Sequence, residues 1–74
     1  MELSELSAEY RESGEKCRSR AGELTELLGS AEMSETERLI LRRRIYILAS
    51  MGRECIATSN YLRSYYGGGA NAGQ

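Results

Sequence analysis

The sequence predicts an all-α fold: a two-helix antiparallel hairpin that self-associates into a four-helix or larger helical bundle. Three observations carry this expectation. Apolar residues recur by threes and fours along most of the chain. No proline interrupts either run. Residues 29–34 carry the signals of one helix ending and another beginning. Seventy-four residues allow one small domain and no second. At 41% hydrophobic and 28% charged, the chain is too apolar for a disordered tail. Its longest strictly apolar run, Ile45 to Ala49, falls far short of the ~18 residues of a membrane span.

The first helix is expected over about 3–28, with apolar or small side chains at Leu3, Leu6, Tyr10, Cys17, Ala21, Leu24, Leu27 and Leu28. Gly29 stands where a left-handed residue commonly ends a helix, so the chain should reverse over 29–33. Ser34-Glu35-Thr36-Glu37 matches a capping box, in which the serine oxygen accepts from the Glu37 amide and the glutamate reaches back. The second helix is therefore expected over about 34–66. Its stripe runs through Leu41, Ile45, Leu48, Gly52, Cys55, Ser59, Leu62 and Tyr66. Gly67-Gly68-Gly69 should end it and leave 67–74 as a flexible tail.

Two long helices joined by a short turn pack antiparallel. The matching heptad register sets Leu24 opposite Leu41, Cys17 opposite Leu48, Tyr10 opposite Cys55 and Leu3 opposite Leu62. In that register Ser13, Gly14, Cys17 and Ala21 form a low patch on which Ile45, Leu48 and Met51 seat, large against small. Cys17 and Cys55 would lie roughly 10 Å apart along the bundle, too far for a bridge, and read as buried free thiols. The second helix carries a further apolar stripe, Ile40, Ile47, Met51 and Tyr65, which one partner helix does not cover. A lone hairpin buries little, so this stripe argues for an oligomer.

Composition narrows function towards binding. The chain has no His, and all eleven of its acids are Glu, which removes most parts of catalytic and metal sites. Ser13 with Lys16 is a weak catalytic pair, since no oxyanion donors are evident inside a helix. Glu2, Glu5, Glu9 and Glu12 read as a solvated acidic face rather than a metal site. No enzyme, cofactor or metal is expected. The first helix region, 1–28, holds seven Glu against four Lys+Arg, and 34–66 holds six Arg against three Glu, so opposite signs should face each other across the hairpin. The acidic start at Met1-Glu2 lacks the basic region of a secretory signal, so the cytoplasm is the expected location.

Two constellations stand out. Arg38, Arg42, Tyr46 and Arg53 fall on one side of the second helix, with Arg44 at the edge of the apolar stripe. Guanidinium forks bind phosphate oxygens in pairs and a tyrosine ring stacks on a base, so these five residues are the candidate ligand-binding set. The alternative is a solvated face paired with Glu23 and Glu26. The second constellation is Tyr61-Leu62-Arg63-Ser64-Tyr65-Tyr66, where Tyr61 and Tyr65 share a face suited to a partner protein, or else pack on Leu3 and Leu6. Ile40, Ile47, Met51, Tyr61 and Tyr65 form the candidate partner-binding set.

The segments Tyr10-Arg11-Glu12-Ser13, Leu41-Arg42-Arg43-Arg44-Ile45 and Asn60-Tyr61-Leu62-Arg63-Ser64-Tyr65-Tyr66 resemble those of short helical hairpin proteins from prophages of Gram-positive gut bacteria. The resemblance implies a phage origin and little chemistry, since most of those proteins have no assigned function. Small oligomeric phage hairpins include sponge proteins that sequester cyclic nucleotide immune signals between subunits, and this sequence is similar to them in architecture. Secreted Trp-x-Gly hairpins share the outline but need a Trp, which is missing. Three functions follow as expectations. The first is a homo-oligomer that sequesters a phosphorylated small ligand such as a cyclic nucleotide. The second is an adaptor or inhibitor that holds a host protein on the apolar face. The third is an RNA-binding hairpin dimer, which the net charge of −1 disfavours.

Overall fold

The computed structural model describes residues 2–65, which form two helices, α1 (Leu3–Ser30) and α2 (Glu35–Arg63). They pack side by side as an antiparallel hairpin in a rod of 55 × 18 × 17 Å. No helix among these residues is long and apolar enough to cross a membrane. Tyr66 and the glycine-rich tail expected at 67–74 lie outside the described residues.

Each helix starts as the sequence implies. At Ser34 the side chain accepts from the Glu37 amide at 3.1 Å, and Glu37 Oε1 accepts from the Ser34 amide at 3.0 Å. The Glu2 amide likewise donates to Glu5 Oε1 at 3.4 Å. The reversal differs from expectation. α1 runs through Gly29 to Ser30, and no described glycine has a positive φ. Ala31 ends the helix in extended conformation, φ −98° and ψ 149°, with its amide still bonded to the Leu27 carbonyl. The turn is thus made by extended residues leading into the Ser34 cap, and Gly29 contributes no special backbone. At the other end α2 stops at Arg63, and Ser64 and Tyr65 follow in a wider π-type turn.

The packing corrects the expected register by one residue. Gly14, which the sequence frame sets opposite Met51, lies against Gly52 instead: a β-carbon built on Gly14 would stand 2.9 Å from the Gly52 carbonyl oxygen. Seven residues away in each helix, the buried Ser7 hydroxyl donates to the Ser59 carbonyl at 3.0 Å, and the two hydroxyls lie 3.0 Å apart. Small therefore meets small. Ser7, Gly14 and Ala21 face a line through Gly52 and Ser59, and all five are buried. Met51 and Ser13, expected in the interface, are exposed. The physical reason is backbone approach: where two helices run this close, only side chains of one or two heavy atoms fit between them, and larger ones move to the flanks. Leu24, at 5% exposure, and Ala21 are the only buried hydrophobic residues among those described. Leu41, Ile45, Leu48, Ile56 and Leu62 are half-buried along the sides.

Two further expectations change. Cys17 and Cys55 are free but half-buried rather than buried. The ion pairs among the described residues, Lys16–Glu12 at 3.4 Å and Arg20–Glu23 at 3.0 Å, both lie within α1. Among the described residues opposite charges do not pair across the hairpin, and Glu5, Glu12 and Glu23 fall on the side of α1 opposite Gly14, turned away from α2.

Candidate functional site

The seam divides the hairpin surface into two faces of different chemistry. One is apolar. Beside the seam at the turn end, Leu24, Leu27, Ala31, Met33, Ile40 and Leu41, with Glu32, Glu37 and Arg44 among them, line an open groove of about 490 Å³. The stripe continues along the rod through a hollow between Arg20, Arg44, Ile47 and Leu48. It then reaches another hollow formed by Tyr10, Met51, Glu54, Cys55 and Thr58. Ile40 is 61% exposed, and Ile47 and Met51 are each 48% exposed. Three large apolar side chains in line, none covered by α1, form the second stripe that the sequence anticipates.

The opposite face is rich in arginine. Arg11 Nη2 donates to Asn60 Oδ1 at 2.7 Å across the seam. Arg18 lies over Gly52, its Cγ 2.7 Å from where a β-carbon would stand. Asn60 marks the side of α2 on which Arg42, Tyr46 and Arg53 also fall at about 100° per residue. Arg11 and Arg18 therefore join the α2 arginines on one surface. A single-helix wheel missed them, because their place there depends on how α1 sits against α2.

The predicted ligand-binding residues do not form one cluster. Arg42 and Tyr46 are exposed, and Arg53 donates to Ser50 Oγ at 3.3 Å. Arg42 to Arg53 spans about 16 Å of helix rise. Arg38 is half-buried and donates to the Leu28 carbonyl at 3.3 Å, where it fastens the turn. Arg44 belongs to the apolar face, as its position on the wheel implies. The sequence set thus splits into an outward surface, a turn clasp and an apolar-groove residue.

The predicted partner-binding residues separate similarly. Ile40, Ile47 and Met51 share the apolar face, while Tyr61 and Tyr65 sit on its outer edge near the end of α2. Their rings stack with centroids 6.0 Å apart and 18° between planes. Each is 66% exposed, so they pack on each other rather than on Leu3 and Leu6. Among the described residues no group of three or more potential ligands could hold a metal ion, and no buried side-chain N or O lacks a hydrogen-bond partner. Compared with known proteins, the chain matches no family model, no curated protein and no solved structure.

Proposed function

We propose that this protein works by binding rather than by turnover, as a cytoplasmic, self-associating helical-bundle module whose apolar face closes against other helices. One observation carries the reading: Ile40, Ile47 and Met51 stand in line, about half exposed or more, beside a hairpin whose only buried hydrophobic residues among those described are Ala21 and Leu24. A hairpin this thin gains most of its remaining burial from a partner, and each large apolar side chain fully covered contributes about 1.5–3 kcal/mol. The experiment is sedimentation of the wild type against Ile47→Glu/Met51→Glu. A concentration-dependent oligomer that the double variant loses while keeping its helicity supports the reading. A wild type that stays monomeric at every concentration refutes it.

A second reading keeps the phosphorylated small ligand, a cyclic nucleotide for instance. It is favoured by the convergence of Arg11 and Arg18 with Arg42, Tyr46 and Arg53 on one face. Its recognition groups then lie on the outer surface of the bundle, with Arg44 alone near a subunit interface. Calorimetric titration with cyclic dinucleotides tests it: saturable binding weakened by Arg18→Ala/Arg53→Ala supports it, and the absence of heat across the panel rejects it.

A further inference from the structure

We infer that the occupant of the apolar face is a second copy of this chain, packed with its turn at the opposite end about a two-fold axis perpendicular to the rod. The inference rests on the self-association proposed above and adds the partner's identity and orientation. It comes from four charges that border the middle of the apolar stripe, two arginines on the turn side of the Gly14–Gly52 crossing and two glutamates on the other, while the groove at the turn end adds Glu32 and Glu37. On the turn side of the Gly14–Gly52 crossing, Arg20 and Arg44 line one hollow together. On the other side, Glu9 lines a hollow with Leu6, Tyr10 and Ser13, and Glu54 lines one with Tyr10, Met51 and Cys55. Of these four, only Arg20 makes an ion pair among the described residues, an exposed one with Glu23.

Two hairpins can meet face to face about a two-fold in two ways. If the axis runs along the rod, both turns lie at one end and α1 covers α2 of the other copy. Arg20 then stands level with Arg44 of the second copy and Glu9 near Glu54 of the second copy, so like charges meet on both sides. If the axis is perpendicular to the rod, α1 covers α1 and α2 covers α2 in opposite directions, and each Arg meets a Glu. Arg20 lies six residues on the turn side of the crossing and Glu9 five on the other, so an axis within about one residue of the crossing aligns them. Arg44 lies eight residues on the turn side and Glu54 two on the other, which puts the axis about three residues towards the turn. The two positions differ by about 4 Å at 1.5 Å rise per residue, within the reach of an arginine side chain.

The same axis suits the apolar residues. Met51 comes against its own copy near the centre, and Leu24 and Leu27 come level with Leu6 and Leu3 of the second copy. A face of 55 by 18 Å offers on the order of 1,000 Å² per copy, somewhat above the ~800 Å² per partner of a standard stable interface.

The test uses sedimentation equilibrium on four full-length proteins, with far-UV helicity confirming that each folds: wild type, Arg20→Glu/Arg44→Glu, Glu9→Arg/Glu54→Arg, and all four changes together. In the perpendicular arrangement the wild type is dimeric, and each double variant sets like charges opposite one another and dimerises about tenfold more weakly or worse. The fourfold variant exchanges the signs and regains wild-type affinity. In the arrangement with both turns at one end, the fourfold variant restores nothing. Double variants that dimerise like the wild type, or a fourfold variant that does not recover, overturn the inference. The self-association reading survives either result provided Ile47→Glu/Met51→Glu abolishes the oligomer, whereas a monomeric wild type ends both.

Discussion

Replacing Gly14 and Gly22 by alanine, one at a time, separates the seam from the rest of α1. Both glycines lie inside the helix, so alanine gains the same intrinsic propensity at each, about 0.8–1 kcal/mol. They differ in what the new methyl meets. At Gly22 a β-carbon has no neighbour within 4 Å. At Gly14 it would stand 2.9 Å from the Gly52 carbonyl oxygen and 2.9 Å from both Cγ1 and Cδ1 of Ile56. Ile56 can turn away, but a backbone oxygen moves only with its helix, so α1 and α2 must separate. Forcing a methyl into a filled contact costs about 1–3 kcal/mol, which outweighs the propensity gain or cancels it. Gly22→Ala is therefore expected to stabilise the protein by nearly 1 kcal/mol and Gly14→Ala to be neutral or destabilising by up to about 2 kcal/mol. The comparison is made by urea unfolding monitored by circular dichroism at one protein concentration, because association contributes to apparent stability. The two variants should differ by about 1–3 kcal/mol, a factor of roughly 5 to 150 in the folding constant. If Gly14→Ala stabilises as much as Gly22→Ala, the helices are not in backbone contact at Gly52 and the small-residue seam is wrong.

Other outcomes follow from the same contacts. Ser7→Ala leaves the buried Ser59 hydroxyl and carbonyl short of a partner and should cost about 1–3 kcal/mol, while Ser7→Ala with Ser59→Ala should cost less than the sum of the two single changes in the same unfolding assay. Ser34→Ala removes the acceptor for the Glu37 amide and should lower stability by about 1 kcal/mol, with the loss concentrated in the first turn of α2 when amide exchange is followed by NMR. Cys17 and Cys55 are both free and partly accessible, so a thiol-specific reagent should titrate two groups per chain without denaturant. Only one titratable group would show that one of the two thiols is more enclosed than the structure describes.

Much of the hairpin was legible because its signals are local. The capping box at Ser34 and the helical spacing of the apolar residues in α1 depend on neighbours a turn or two away, and both elements appear in the structure, although of the heptad residues Leu3, Tyr10, Cys17 and Leu24 the first two are exposed and Leu24 alone is buried. The reversal was misread because glycine at a helix end is a preference, and here Ala31 leaves the helix through an extended conformation instead. The seam was missed for a different reason. Hydrophobic periodicity ranks leucines above serine and glycine, whereas the line of closest approach selects for size, so Gly14, Gly52 and Ser59 are expected at the interface only as seats for larger side chains, and Ser7 is not expected there. Ile47 lies on an uncovered stripe as expected, since that conclusion needs only one helix and the width of its partner, whereas Met51, expected both on that stripe and in the seam, lies only on the stripe. The arginine face needed both helices. Arg11 and Arg18 come beside Arg53 only through the relative rotation of α1 and α2, which no single-helix pattern contains.

The placement of arginines and apolar side chains on opposite sides of an 18 Å rod has a consequence for valency. A face that is covered turns the other one outward. A two-fold pair closed through the apolar side would display two identical guanidinium arrays directed away from each other, so that one particle engages two separate anionic surfaces or molecules. Affinity for an extended or clustered target would then rise through the effective concentration of the second array, without any additional contact within either one. Dissociation of the pair would abolish that gain and leave each array chemically unchanged.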